Sequence, residues 1–578
     1  MKATGVLRLL LFFPLLLPSG CTAVEPSGEA PRGKTGGSHV DDNAGPVLSE
    51  NEELLDCGLE QAALVPGPLM RVGLMVELTG TCLKAGIGGK CDAMLAAAAE
   101  SAVSIREFWD RQGALLLVST AYAEAGRFDD AFGICEKIEK VDFKASALTL
   151  AAVKARGAGR EELADGMLAA AVSLGLVMAN DFARERTLMG IVQDLAAAGE
   201  YDHALAAAAM MEDGYLKDCA LEEIACRQVD EGQYGRAGKI IRAASRAEHV
   251  VRVLHAMAES QIEEGRKSMA SSTLAVLVRE AGKLEMKEDT LMWLVKAAGG
   301  YIELGRKEKA VDLLSKAHAG AKGIRNERLK VGILAAAAEA LGQAGRKHKA
   351  GKALMDALAV AQRQEADVFR DMLLSRIAAA HAAIGEKAGA MSLIETMGDG
   401  TIVGNAVFDL AVQYAREGSY EDAMMVALSL AEQDNRAAAL SVIAAGLLAG
   451  GRADLAHAAA RLMDDGSEKA EALLAVAKAF LEGGGTGKPG AVLEEAAAAA
   501  AGVFDGPTRD DIMTRIVLMF FDGGMRGPGL DVLERAGPAV KASVLGRLVE
   551  AGNLPDGFAL EIIGRLSCGH GGHGRNVL

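Results

Sequence analysis

Residues 121–138 read AYAEAGRFDDAFGICEKI, and the glycine at their centre, Gly126, decides the fold. Before it, Leu115, Val118, Ser119 and Tyr122 stand at the three- and four-residue spacing of one helix face; after it, Ala131, Ile134, Cys135 and Ile138 do the same. Two amphipathic helices must therefore meet at Gly126, where a left-handed turn disfavours any residue carrying a Cβ.

The stretch has echoes. A glycine in the same setting stands at Gly86, Gly126, Gly159, Gly199, Gly232, Gly265, Gly305, Gly345, Gly385, Gly418, Gly451, Gly484 and Gly524, at intervals of 33 or 40 residues, and a shorter final unit turns at Gly552. The two intervals differ by seven residues, about two helical turns, so one helix of the unit gains or loses whole turns. Seven residues before each glycine the side chain is mostly small, from Ser119 and Ala152 to Ala477, with Val192 and Val517 as exceptions; five after it, alanine recurs from Ala131 to Ala456. Small residues at both places let the two backbones approach closely.

This framework resembles the tetratricopeptide repeat. Phe128, Tyr201, Tyr234 and Tyr420 lie two residues after their glycines, and Tyr122, Tyr301 and Tyr414 four before theirs, as that family prefers. The helix-A Trp is replaced by Leu, the closing Pro is missing, and the period departs from 34. A HEAT-like array, also an α-solenoid, is the alternative. The fold expected is an all-α superhelix of about 13–14 hairpins over residues 51–566, piled in chain order. Composition agrees: half of the 578 residues are apolar but only 4% aromatic, and prolines number 12. Such a chain packs helices through Ala and Leu.

The resemblance implies that positions 13, 10, 6, 3 and 2 before each glycine line a concave groove for peptide or helical segments of partner proteins. Here they include Arg186, Gln193, Cys219, Glu222, Cys226, Asp230, Arg252, His255, Glu259, Glu263, Asn405, Phe408 and Arg416. The bland reading of each is a solvated helix face. Against a net charge of −16, which argues against nucleic-acid binding, three successive turns are basic: Arg266 and Lys267; Arg306, Lys307 and Lys309; Arg346, Lys347 and Lys349. Aligned turns would make them a ridge for an anionic partner, or merely a soluble edge.

The N-terminus carries its own signal. Lys2 and Arg8 precede the apolar run Leu9–Leu17, and Leu17-Pro18-Ser19-Gly20-Cys21 resembles a bacterial lipobox with Pro18 where Leu is usual. Residues 1–21 are thus expected to be an export signal and Cys21 a lipidated, outer-membrane-sorted anchor facing the periplasm. Residues 22–50, rich in Gly and Pro, are expected to be a flexible tether of ~30 Å reach. Within that tether GEAPRGKT (28–35) matches a phosphate loop, but no strand precedes it and no helical stripe follows, so the match is coincidental.

Little other chemistry is visible. Cys82 and Cys91, either side of Gly86, are the pair best placed for a disulfide. Cys568, His570 and His573 sit in a Gly/His tail, 567–578, expected to be disordered, and are not assigned a metal. Enzyme signatures are lacking and no cofactor is implied. The function expected is a protein–protein interaction scaffold of the cell envelope; an assembly factor of a secretion or pilus machine is the alternative, and an enzyme with an unrecognised site the last.

Overall fold

The computed structural model describes residues 45–566, apart from 213, 366, 484–486, 553 and 556. These are all-α, with twenty-nine helices and no strand among the described residues. The signal segment, Cys21, most of the tether and the tail 567–578 lie outside them. One boundary shifts: the first helix, α1 (Gly45–Ala63), begins inside the stretch expected as tether, so residues 45–50 are helical.

Each unit is a hairpin of a first and a second helix. At the join a glycine adopts φ between 66° and 87°, and from Gly86 to Gly451 and again at Gly524 the same pair of hydrogen bonds closes the turn: the glycine N–H donates to the carbonyl three residues before it, and the next residue donates to the carbonyl four before the glycine, as Arg127 N does to Tyr122 O at 2.9 Å. This is the glycine-terminated helix end in which two orphan carbonyls are satisfied. One position is corrected. In the hairpin expected to turn at Gly484 the left-handed residue described is Gly483, and Gly484 lies outside the described residues.

The quantised period resides in the second helix. First helices such as α4 (Phe108–Glu124), α10 (Gly214–Asp230), α14 (Lys287–Glu303) and α20 (Gly400–Arg416) all have 17 residues. The second helix has 8 or 9 residues where the interval is 33, as in α5 (Phe128–Glu136) and α19 (Lys387–Ile394). It has 13 to 17 where the interval is 40, as in α3 (Gly88–Ser104), α15 (Lys307–Ala321) and α25 (Pro489–Ala501). Ser119 and the alanines from Ala152 to Ala477, seven before the glycine, are at most 1% exposed, and those five after it, Ala131 to Ala456, are 0% exposed. A larger side chain at either place would push the two helices apart.

The described residues fall into two compact units, one formed by those up to 168 together with those from 533 onward and the other by 169–532. In the second unit, first helices pack side by side in chain order: α8 (Asp181–Ala197), α10, α12 (Ala247–Glu263), α14, α16 (Glu327–Gln343), α18 (Val368–Ala383), α20, α22 (Gln433–Ala449) and on. The second helices do not pack on one another to a comparable extent, so the first helices alone form the continuous layer of this unit.

Stacking in chain order fails in the other unit. There α28 (Pro538–Ala551), from the C-terminal end, packs against both α1 and α2 (Pro68–Lys84). It takes the place of a first helix beside α2, and α1, from the opposite end of the chain, serves as its second helix. Leu78 of α2 fits against Gly58 of α1 and Gly546 of α28, where an added Cβ would stand 3.2 and 3.1 Å from it. Lys84–Glu550 and Arg547–Glu77 pair at the rim, at 2.5 and 3.8 Å. The final helix, α29 (Phe558–Leu566), also rests on α1.

Candidate functional site

The open face of the first-helix layer in the second unit is polar because the apolar stripe of each first helix is spent on its neighbours. Of the groove residues the resemblance implies, Arg186, Gln193, Asp230, Arg252, Glu259, Glu263, Asn405 and Arg416 are exposed, and Cys219, Glu222, Cys226, His255 and Phe408 are partly buried. Two groups of them meet. Glu222 of α10 reaches across to α12, with Oε1 3.1 Å from Arg252 Nε and Oε2 2.5 Å from Nδ1 of His249. His255 Nδ1 lies 3.0 Å from Glu259 Oε2 one turn on. Asn405 accepts from Asn435 at 3.4 Å.

Sequence spacing missed several neighbours of these groups. His249 is 0% exposed, its ring stands edge-on to Tyr215 at 5.6 Å, and its Nε2 has no partner among the described residues. Trp293 meets His255 edge-on at 5.4 Å and carries Lys296 over its ring at 4.5 Å. These lie 17, 16, 12 and 9 residues before their glycines, outside the positions carried over from the repeat family. The signal available was composition: Trp293 is one of two tryptophans in an aromatic-poor chain. Further along, Arg376 of α18 stands 3.6 Å from Glu339 of α16.

Burial governs the titrations here. It pushes the Cys219 thiol up, and with the carboxylates of Glu222, Glu223 and Asp230 it raises Cys226 to about 11. Neither thiol is a ready thiolate nucleophile. Burial lowers His255, helped by Lys296 and opposed by Glu259, and favours its neutral ring. It raises the carboxyls of Glu339 and Asp409, each opposed by Arg376. Among the described residues no group of three His, Cys, Asp or Glu side chains is placed to hold a metal.

The eight ridge residues are all exposed and lie on adjoining turns. Arg346 reaches Glu308 of the preceding turn at 2.5 Å, Arg266 pairs with Glu264 at 2.6 Å and lies over the Tyr234 ring, and Lys309 lies over Tyr301. Lys267, Arg306, Lys307, Lys347 and Lys349 have no ion pair among the described residues. Arg236 and Lys239, which sequence reading left out, extend this edge by lining with Tyr234 and Arg266 a depression of about 420 Å³.

Cys82 and Cys91 do not form the expected disulfide. Both are buried free thiols whose Sγ atoms donate to Ile87 O at 3.3 Å, the shared acceptor at the turn. Burial and the neighbouring Cys91 thiol drive Cys82 upward, away from the thiolate.

The class that fold and site define is a helical-repeat protein built of tetratricopeptide-like hairpins. No family model matches the chain, and no curated protein matches it. Solved structures similar to it include the Rap protein complexed with competence and sporulation factor, 14% identical over 64% of this chain and 99% of that one, TM-score 0.27. The human IFIT1 dimer with PPP-AAAA is 14% identical over 70% and 94%, TM-score 0.28. The APC/C hetero-tetramer Cut9-Hcn1 is 12% identical over 88% and 92%, TM-score 0.22. At such scores no functional argument passes from these chains to this one.

Proposed function

We propose that the open face of the first-helix layer in the second unit binds an extended or helical segment of a partner protein, and that the chain is a scaffold held at the cell envelope through lipidated Cys21. The observation carrying this is the run of exposed charges and amides on α8, α10, α12 and α20, interleaved with the partly buried ring of Trp293 and the half-exposed ring of Tyr215. That mixture of orienting polar groups and flat apolar area suits peptide recognition. The test is capture of partners from detergent-solubilised envelope by the wild-type chain and by the triple variant Asp230→Lys, Glu259→Lys, Glu263→Lys. Asp230 and Glu263 are exposed, and Glu259 pairs with His255 alone among the described residues, so the variant is expected to fold; Glu222 is avoided because it braces buried His249. Unchanged capture by the variant removes the open face as the binding site. A partner set confined to a secretion or pilus apparatus would mark the assembly-factor alternative.

The basic edge supports a second contact, to an anionic partner. Its five unpaired cations occupy helix starts at α13 (Lys267–Ala281), α15 and α17 (Lys347–Ala361), where the helix dipole already disfavours positive charge. Some second helices elsewhere begin with two acids, as α5 does with Asp129 and Asp130 and α21 (Tyr420–Leu428) with Glu421 and Asp422.

A further inference from the structure

Four successive glycine turns of the second unit touch one another along one edge. Arg266 lies over the Tyr234 ring at 5.3 Å, Tyr301 Oη donates to Ser271 O at 3.4 Å, and Arg346 reaches Glu308 at 2.5 Å. These contacts join the turns at Gly232, Gly265, Gly305 and Gly345. Seven cations on them are exposed and have no ion pair among the described residues: Arg236, Lys239, Lys267, Arg306, Lys307, Lys347 and Lys349. Of the acids at the turns, Glu231, Glu264 and Glu308 are each held, by Tyr201, Arg266 and Arg346. Glu263 and Glu303 stand two residues before their glycines, at positions of the open face. The edge thus keeps an uncompensated positive charge in a chain whose net charge is −16.

Extent and chemistry say what anion this edge fits. Neighbouring hairpins stand about 10 Å apart, so four turns span about 30 Å. That is several screening lengths of about 8 Å at physiological salt, so a small anion feels one turn and only an extended array of negative charge meets all four. Five of the seven cations are lysines, compact point charges on flexible stems; of the four arginines on the edge, Arg266 and Arg346 are already engaged. Point charges of this kind follow phosphates that hold no fixed register, whereas a carboxylate-bearing peptide is best held by a guanidinium fork. Met269, 44% exposed, lines the depression of about 420 Å³ with Arg236, Lys239 and Arg266, which sets an apolar side chain among the cations, as a headgroup–acyl boundary accommodates.

We propose that this edge lies against the phosphates of an anionic phospholipid bilayer. The inference rests on the reading of the edge as a contact for an anionic partner and names that partner; it needs no acyl anchor. The full chain, produced without acylation, is titrated with vesicles of phosphatidylcholine alone and of equal parts phosphatidylcholine and phosphatidylglycerol. The ratio of the two partition coefficients is read, so that apolar insertion common to both cancels. A preference for the anionic vesicles of about 100-fold or more at low salt, falling as salt rises, is expected. The variant Lys267→Glu, Arg306→Glu, Lys307→Glu, Lys347→Glu should lose it, each cation being worth about fivefold at such a surface. The variant Arg242→Glu, Arg325→Glu, Arg328→Glu, Arg363→Glu changes the net charge equally, at exposed and unpaired positions at the opposite ends of the hairpins, and should keep the preference within about tenfold. No preference in the wild type, or an equal loss in the second variant, overturns the proposal. Soluble poly-glutamate separates this failure from that of the broader reading. If it binds the wild type and not the first variant while anionic vesicles are ignored, the edge serves an acidic polypeptide and only the lipid assignment falls. If neither binds, the anionic-partner reading falls with it.

Discussion

Hairpins of 33 residues and hairpins of 40 share their turn, their first helix and their small-residue seam, yet they bury opposite chemistry at one position. Fourteen residues before the glycine, the long units hold Val72, Ala145, Val251, Leu291, Val331 and Ala470, none more than 6% exposed. Four of the six short units hold Gln112, Glu185, Asp218 and Asp371 there, at 0–3% exposure. In a long unit the two additional turns of the second helix cover the site: a Cβ on Gly320, near the end of α15, would stand 2.7 Å from Leu291. In a short unit the helix has already ended, and the loop after it brings unpaired N–H groups to the same level. Gln112 accepts from Glu139 N and Lys140 N at 2.8 and 3.0 Å, Asp218 from Ser245 N and Arg246 N at 2.9 and 3.0 Å, and Asp371 from Gly398 N and Asp399 N at 2.7 and 2.9 Å. Glu185 accepts from Glu212 N at 3.1 Å. The difference teaches that removing two turns creates a debt of buried donors, met by one polar side chain. The other two short units carry Gly404 and Ala437, and nothing in the structure explains how they manage without an acceptor.

The comparison is broken most severely by putting the short-unit residue in a long unit. Leu291→Asp should cost about 4 kcal/mol or more, since it would put a carboxylate into the buried apolar cluster that holds Leu291. Native-state amide exchange on α14 and α15 measures it; a loss below about 1 kcal/mol would show that the site is not sealed.

Next in size is Asp371→Ala, expected to cost about 2–3 kcal/mol by leaving two buried N–H groups without a charged acceptor. Its pH dependence checks the cause. Burial alone would raise this carboxyl, but the donors Asp399 N and Gly398 N, with Arg370, hold it below its ordinary value. A lowered folded-state pKa stabilises above the unfolded-state pKa of about 4, and the gain is lost as pH falls through the folded value. The gap between wild type and variant, followed by urea unfolding, should therefore be full at neutral pH and narrow below about pH 4.

A sharper trial converts one class into the other. Deleting residues 316–322 trims α15 to nine residues, the length of α5. That deletion and Leu291→Asp should each be damaging alone but couple favourably by about 2 kcal/mol when combined, as contacting changes do. Additive losses in the double-variant cycle would separate the two features.

The turn itself should not distinguish the classes. Gly305→Ala precedes a long helix and Gly418→Ala a short one, and both should cost about 1–2 kcal/mol because both force alanine into the left-handed region, at φ 74° and 77°. Smallest of all, Arg306→Glu, Lys307→Glu and Lys347→Glu should each change stability by less than about 0.5 kcal/mol, being exposed and unpaired. Any effect belongs in the salt dependence of binding to an anionic partner, which titration at two ionic strengths would read.

Much of the fold was legible because its determinants are local. Gly126 and its counterparts need a left-handed backbone, Ala131 and its counterparts need to be small, and both demands appear at fixed spacing. The open face was legible only in part. Glu222, Arg252 and His255 stood in the pattern the resemblance implied, whereas buried His249 and ring-bearing Tyr215 and Trp293 did not, because what they touch comes from a neighbouring hairpin. The Cys82–Cys91 expectation failed for a local reason: adjacency across a turn does not set where two Sγ atoms point, and both turn to Ile87 O.

The sequence by itself determined the hairpin, its turn residue, the seam of alanines and the seven-residue step, since helix periodicity and backbone sterics act within one unit. Only the tertiary structure decided that α28 would take α1 as its partner, that Cys82 and Cys91 would both stay free thiols, and that Asp371 would face backbone donors. Those outcomes depend on which surfaces meet after the chain has turned back on itself, and no local spacing records that.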